Sequence, residues 1–122
     1  MREVFQKMTE CLGRGESAAL VTVTAASGST PRKAGARMLV TGDGLAAGTI
    51  GGGAVEHATI ELAAQLLREG RTRRKHFILT ENEAADIGMI CGGDTDVYFQ
   101  YVSGDDGNAR RLFAKILAAA GG

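Results

Sequence analysis

The sequence has no tryptophan, a single proline (Pro31) and only two cysteines, Cys11 and Cys91, far apart in 122 residues. Two such distant thiols form neither the dense disulfide framework of a small secreted domain nor the paired spacing of a zinc site. They point to a reducing, cytoplasmic setting. Charge of one sign is also missing: 14 Lys and Arg stand against 14 Asp and Glu. A neutral chain has no long-range pull towards nucleic acid or an acidic membrane, so binding must come from local arrangement. The start, Met1-Arg2-Glu3-Val4-Phe5-Gln6-Lys7, interleaves charged with apolar residues. Nowhere is there an apolar run long enough for a membrane span or a signal peptide. What the chain has in excess is glycine, 18 residues against one proline. Disordered linkers usually bring proline as well, so these glycines are expected to shape turns.

At this length one domain, residues 1–122, can bury a core without disulfides or structural metals. Val4, Phe5, Met8, Cys11 and Leu12 recur at helical spacing, with Gly13 and Gly15 where the helix should end. Cys11 lies on that apolar face and is expected in the core. Ala18–Ala25 is β-branched and alternating and reads as a strand. Residues 36–41 and 45–50 flank Gly42-Asp43-Gly44, a connection of hairpin length. After Gly51-Gly52-Gly53 the period becomes helical, with Val55, Thr59, Leu62 and Leu66 on one side and His57, Glu61, Gln65 and Arg68 on the other, up to Gly70. Residues 75–80 and 96–102 read as strands, and Ala109, Leu112, Phe113, Ile116 and Leu117 mark a last helix capped by Asp105 and Asp106. The expected fold is therefore α/β (α+β): a small mixed sheet with a β-hairpin and flanking helices.

Three segments carry candidate chemistry. Gly48-Thr49-Ile50-Gly51-Gly52-Gly53 joins a strand to a helix start, where amides unobstructed by Cβ atoms and the helix dipole favour an anion. A tight strand-to-helix turn without a ligand is the alternative. Glu56 heads the apolar column Ile60, Ala63, Leu67, so its carboxylate starts beside the core, either to cap the helix or to contact a ligand. His57, on the polar side, reads as a surface residue. Ser27-Gly28-Ser29-Thr30-Pro31-Arg32-Lys33-Ala34-Gly35-Ala36-Arg37 gathers hydroxyls and three cations suited to phosphate. A solvated turn is the alternative there. In Ile87-Gly88-Met89-Ile90-Cys91-Gly92-Gly93, the flanking glycines allow close approach to a thiol, which is otherwise a small buried hydrophobe. Arg71-Thr72-Arg73-Arg74-Lys75 has no interleaved aromatics and reads as a charged loop, not a nucleic-acid site.

Taken in order, Gly28-Ser29-Thr30-Pro31-Arg32-Lys33 with Gly35-Ala36-Arg37-Met38, then Gly51-Gly52-Gly53-Ala54-Val55-Glu56, then Cys91-Gly92-Gly93, resemble the N-terminal domain of the XdhC/CoxI family. These are accessory proteins for the maturation of xanthine dehydrogenase and related molybdenum hydroxylases. The resemblance covers most of residues 15–102. It implies binding of molybdenum cofactor (molybdopterin), protection of the cofactor while its sulfurated form is made, and delivery to the apoenzyme. The implied site is Ser29, Thr30, Arg32, Lys33 and Arg37 for phosphate, with Gly51, Gly52, Gly53 and Glu56 along one wall. Cys91, Gly92 and Gly93 form the other, with Cys91 near the metal or its sulfur ligand. Two departures stand out. Ala54 occupies a position where family members often carry cysteine, and the family's second, Rossmann-like domain does not follow within these residues.

The leading expectation is a non-enzymatic cofactor-binding maturation factor. Its expected partners are a molybdenum hydroxylase apoenzyme, a cysteine desulfurase and a separate Rossmann-like protein. A thiol- or nucleotide-dependent enzyme using Cys91 with Glu56 is one alternative. A non-catalytic oligomerisation or partner-binding domain is the other, and short edge strands would suit a homodimer.

Overall fold

Apolar side chains alternate along the first strand without a polar face: Ala18 and Leu20 point one way and Ala19, Val21 and Val23 the other, all of them buried. A strand buried on both faces belongs in the middle of a sheet with helices on either side. The computed structural model, which describes residues 2–28, 34–50, 53–78 and 93–120, has this arrangement. The elements in chain order are α1 (Arg2–Gly13), β1 (Ala18–Gly28), β2 (Arg37–Thr41), β3 (Gly44–Gly48), α2 (Gly53–Glu69), β4 (Arg73–Ile78), β5 (Gly93–Val102) and α3 (Gly107–Ala120). The five strands lie in the order β3-β2-β1-β5-β4, and every described pairing is antiparallel. The α/β fold with its hairpin and flanking helices is as expected from the sequence.

Each face of the sheet has its own core. On one, α1 and α3 bring Val4, Phe5, Met8, Leu12 and Phe113 against Leu20, Leu39, Ala47 and Val102. The Phe5 and Phe113 rings stack with centroids 6.1 Å apart. On the other, α2 lays Ala63 and Leu66 over Val21, Val23, Met38, Val97 and Phe99. Asp106 caps α3 by accepting the Asn108 and Ala109 amides, each at 3.0 Å. No helix among the described residues is long and apolar enough to cross a membrane.

One local expectation changes. Arg73, Arg74 and Lys75 are not loop residues; they begin β4, an edge strand. The Arg74 guanidinium sits 5.2 Å from the Tyr98 ring centroid, and the Lys75 ammonium lies 5.4 Å from that of Phe77. Cations on aromatic faces are compatible with a strand, and they discourage further edge pairing. The partner ring of Arg74 is distant in sequence, which is why a local reading of 71–75 does not find it.

The turn out of β3 is sterically specified. Gly48 has φ of 78°, and a Cβ there would lie 2.3 Å from the Arg37 carbonyl oxygen and 2.8 Å from a Val4 methyl. Both the left-handed backbone and the close approach exclude side chains. Gly48→Ala is expected to destabilise the protein by more than about 2 kcal/mol. A urea melt that left the midpoint unchanged would contradict this account of the turn.

Candidate functional site

Strand direction decides where the three motif segments go. β1 runs towards Gly28, β3 towards Gly48 and β4 towards Ile78, whereas β2 and β5 run away from Arg37 and Gly93. All five of these residues therefore mark the same end of the sheet, the end at which the chain leaves β1, β3 and β4 and enters β2 and β5. The end is stepped. Arg37 pairs with Thr22, but β1 and β5 continue together until Gly28 faces Gly93, roughly 20 Å further at the usual rise per residue. Gly48 thus stands on a lower step, and Gly93 at the tip.

On the lower step, Glu56 folds back from the first turns of α2. Its carboxylate accepts the Thr49 hydroxyl and, at 3.0 Å, the Ile50 amide. Ile50 is fully buried in the α2-side core, so the carboxylate anchors the turn to that helix. Both donors precede Gly53, so what Glu56 holds is the turn ahead of the helix. Gly53 is the first residue of α2 and Gly93 the first of β5.

Arg37 is at the same end but on the opposite face. Its guanidinium donates to the Gly35 carbonyl at 3.4 Å and lies 5.9 Å from the centroid of Phe5, on the α1 side, while Glu56 is on the α2 side. The sheet separates the two. Ser29, Thr30, Arg32, Lys33, Gly51, Gly52, Cys91 and Gly92 lie outside the described residues.

Three other residues take the places expected of them or reveal something new. His57 is exposed and pairs with Glu61 at 3.1 Å, an ordinary surface contact. Cys11 is 1% exposed, and its thiol donates towards the Glu16 and Ser17 carbonyls at 3.5 and 3.6 Å. Burial, followed by the nearby Glu16 carboxylate, pushes that thiol up, which favours the protonated, less nucleophilic form. Thr95 was not singled out in the sequence. It is completely buried, and its hydroxyl has no hydrogen-bond partner among the described residues. Nothing local distinguishes it, because its burial comes from strands distant in the chain. The pair between His76 Nδ1 and Asp96 Oδ1, which ties β4 to β5, is invisible in sequence for the same reason. A cavity of about 440 Å³ between α1 and α3, lined by Thr9, Gly13, Arg110 and Arg111, is far from the motif-bearing end.

With this geometry in place, the relatives can be set beside it. The model of the XdhC and CoxI family matches residues 11–78, more than half of the chain. The chain belongs to the XdhC and CoxI family. YqeB of Escherichia coli K12 is 42% identical over 80 residues, covering 66% of this chain and 15% of that protein. The molybdenum cofactor insertion chaperone PaoD of the same organism is 34% identical over 95 residues, covering 75% of this chain and 29% of PaoD. The chain thus spans less than a third of either relative. Among solved structures, a Bacillus halodurans protein described as a xanthine dehydrogenase superposes with a TM-score of 0.72 at 24% identity, over 94% of this chain and 34% of that one. That likeness is one of fold. The family match ends at Ile78, so it takes in β1 to β4, α2 and the Glu56 anchor, and it stops before β5.

Two outcomes follow for the described residues. Glu56→Ala removes a charged acceptor from two donors and should lower the stability of the ligand-free protein by about 1.5 kcal/mol; an unchanged melting temperature would mean that the anchor carries no energy. Cys11 should resist iodoacetamide at pH 8 in the native protein and react once urea unfolds it, and rapid native labelling, mapped to Cys11 by mass spectrometry, would contradict its burial.

Proposed function

We propose that this chain is an accessory protein that binds molybdenum cofactor and takes part in its insertion into a xanthine dehydrogenase-like molybdenum hydroxylase. The observation that carries the reading is convergence. In a chain of this family, Gly28, Gly48 and Gly93, far apart in the sequence and each bordering one of the three motif segments, stand at one end of one sheet. The printed name of PaoD, a molybdenum cofactor insertion chaperone, supports the same ligand. What supports a ligand there is an anchored strand-to-helix turn and a buried hydroxyl without a partner among the described residues, both at or near that end.

When bound, the cofactor supplies a molybdenum centre held by the dithiolene of a phosphorylated pterin. This chain's part is to hold it. Ser29, Thr30, Arg32 and Lys33 would take the phosphate by charge-assisted hydrogen bonds. The amides of Gly51, Gly52 and Gly53, at the positive end of α2, would add donors to the same anionic group. Glu56 keeps that turn in place through Thr49 and Ile50. Arg37, on the far face against Phe5, would contribute by fixing the root of the Ser29–Lys33 loop. Cys91, with Gly92 and Gly93 giving close approach, would stand near the metal or its sulfur ligand. Sulfuration during residence, with a cysteine desulfurase as the sulfur source and a Rossmann-like partner, extends the same proposal.

The test is anaerobic incubation of the purified protein with molybdenum cofactor released from a molybdoenzyme, followed by gel filtration and assay of molybdenum and pterin. Co-elution with the wild type is expected. Cys91→Ala and Arg32→Ala should each weaken retention about tenfold, the scale of one charged or metal-directed contact. No molybdenum or pterin in the wild-type peak would overturn the reading.

A further inference from the structure

Thr95 stands between the two steps of the sheet end, on the face that α2 covers. It is two residues from Gly93 at the tip and two from Val97, which shares a core with Ile50 of the lower turn. Its side chain is 0% exposed, and its hydroxyl is the buried side-chain polar atom that lacks a partner among the described residues. A valine would fill the same volume without leaving a donor and an acceptor unsatisfied. Directly across the β4–β5 ladder is Phe77, and residues opposed in an antiparallel pair point to the same face. Phe77 is half-buried and packs against the α2-side core. Two residues before it, Lys75 places its ammonium 5.4 Å from the Phe77 ring centroid. Along one face the order is therefore cation, aromatic ring, hydroxyl.

We propose that Thr95 is a ligand-binding residue whose hydroxyl hydrogen-bonds the polar edge of a planar heteroaromatic group of the pterin class, seated against Phe77. This rests on the reading that the sheet end binds molybdenum cofactor, and it names the part of the ligand held there. An aromatic wall with an adjacent hydroxyl suits a flat ring with nitrogen and carbonyl atoms at its edge. A bare phosphate would instead gather around the cations of the Ser29–Lys33 segment. A ligand that reaches Thr95 must displace the packing that closes it from solvent, so association should be slower than simple collision.

The closing experiment compares the wild type with Thr95→Val and Thr95→Ser, each melted without ligand and then titrated anaerobically with released molybdenum cofactor. Thr95→Val should melt at or above the wild-type temperature, because it removes an unsatisfied buried hydroxyl, yet bind the cofactor about tenfold more weakly. Thr95→Ser, which keeps the hydroxyl, should bind within about threefold of the wild type. The proposal is overturned if Thr95→Val binds as tightly as the wild type, or if it melts well below it, since the hydroxyl would then have a structural partner. Failure of the wild type itself to bind is read from its own titration. It would overturn the functional reading and this proposal with it, whereas a binding wild type with an unaffected Thr95→Val overturns this proposal alone.

Discussion

The ten paired positions of β1 and β5, from Ala18 opposite Val102 to Gly28 opposite Gly93, are the constraint on which the remainder of the structure hangs. That ladder lies at the centre of the sheet, so both of its faces need cover, and α1 with α3 on one side and α2 on the other provide it. The register shift between Val23 and Ala25 marks where the ladder leaves the shelter of β2. From there it runs on as an overhang shared with β4. The overhang is what makes the motif-bearing end stepped.

The step gives the end two chemically different levels. The lower one is a turn fixed by backbone geometry and by one carboxylate: Gly48 accepts a conformation closed to other residues, and Glu56 ties Thr49 and Ile50 to α2. The upper one carries the buried Thr95 hydroxyl, without a partner among the described residues, beside Phe77. Arg37 shows why proximity in the chain is not enough. It follows the Ser29–Lys33 cations closely in sequence, yet alternation along β2 sends its side chain to the α1 face.

Much of the fold was legible in the sequence because it rests on local periodicity. The apolar spacing in α1, the two-sided β1 and the Gly42-Asp43-Gly44 hairpin all follow from near neighbours. The capping role of Asp106 was equally local. Less legible was β4, whose first residues look like a charged loop until Tyr98 and Phe77 are placed beneath their cations. Thr95 and the His76–Asp96 pair gave no signal at all, since both depend on which strands become neighbours.

By itself, then, the sequence determined the kinds of element, the glycine-bearing turns and the family resemblance, for these are encoded in residues a few positions apart. Only the tertiary structure decided that Gly28, Gly48 and Gly93 share one end, that Arg37 and Glu56 fall on opposite faces, and that one threonine is buried without a partner among the described residues. The reason is physical. Strand order and register are set by the collective packing of two cores against one sheet, and no short stretch of chain contains that information.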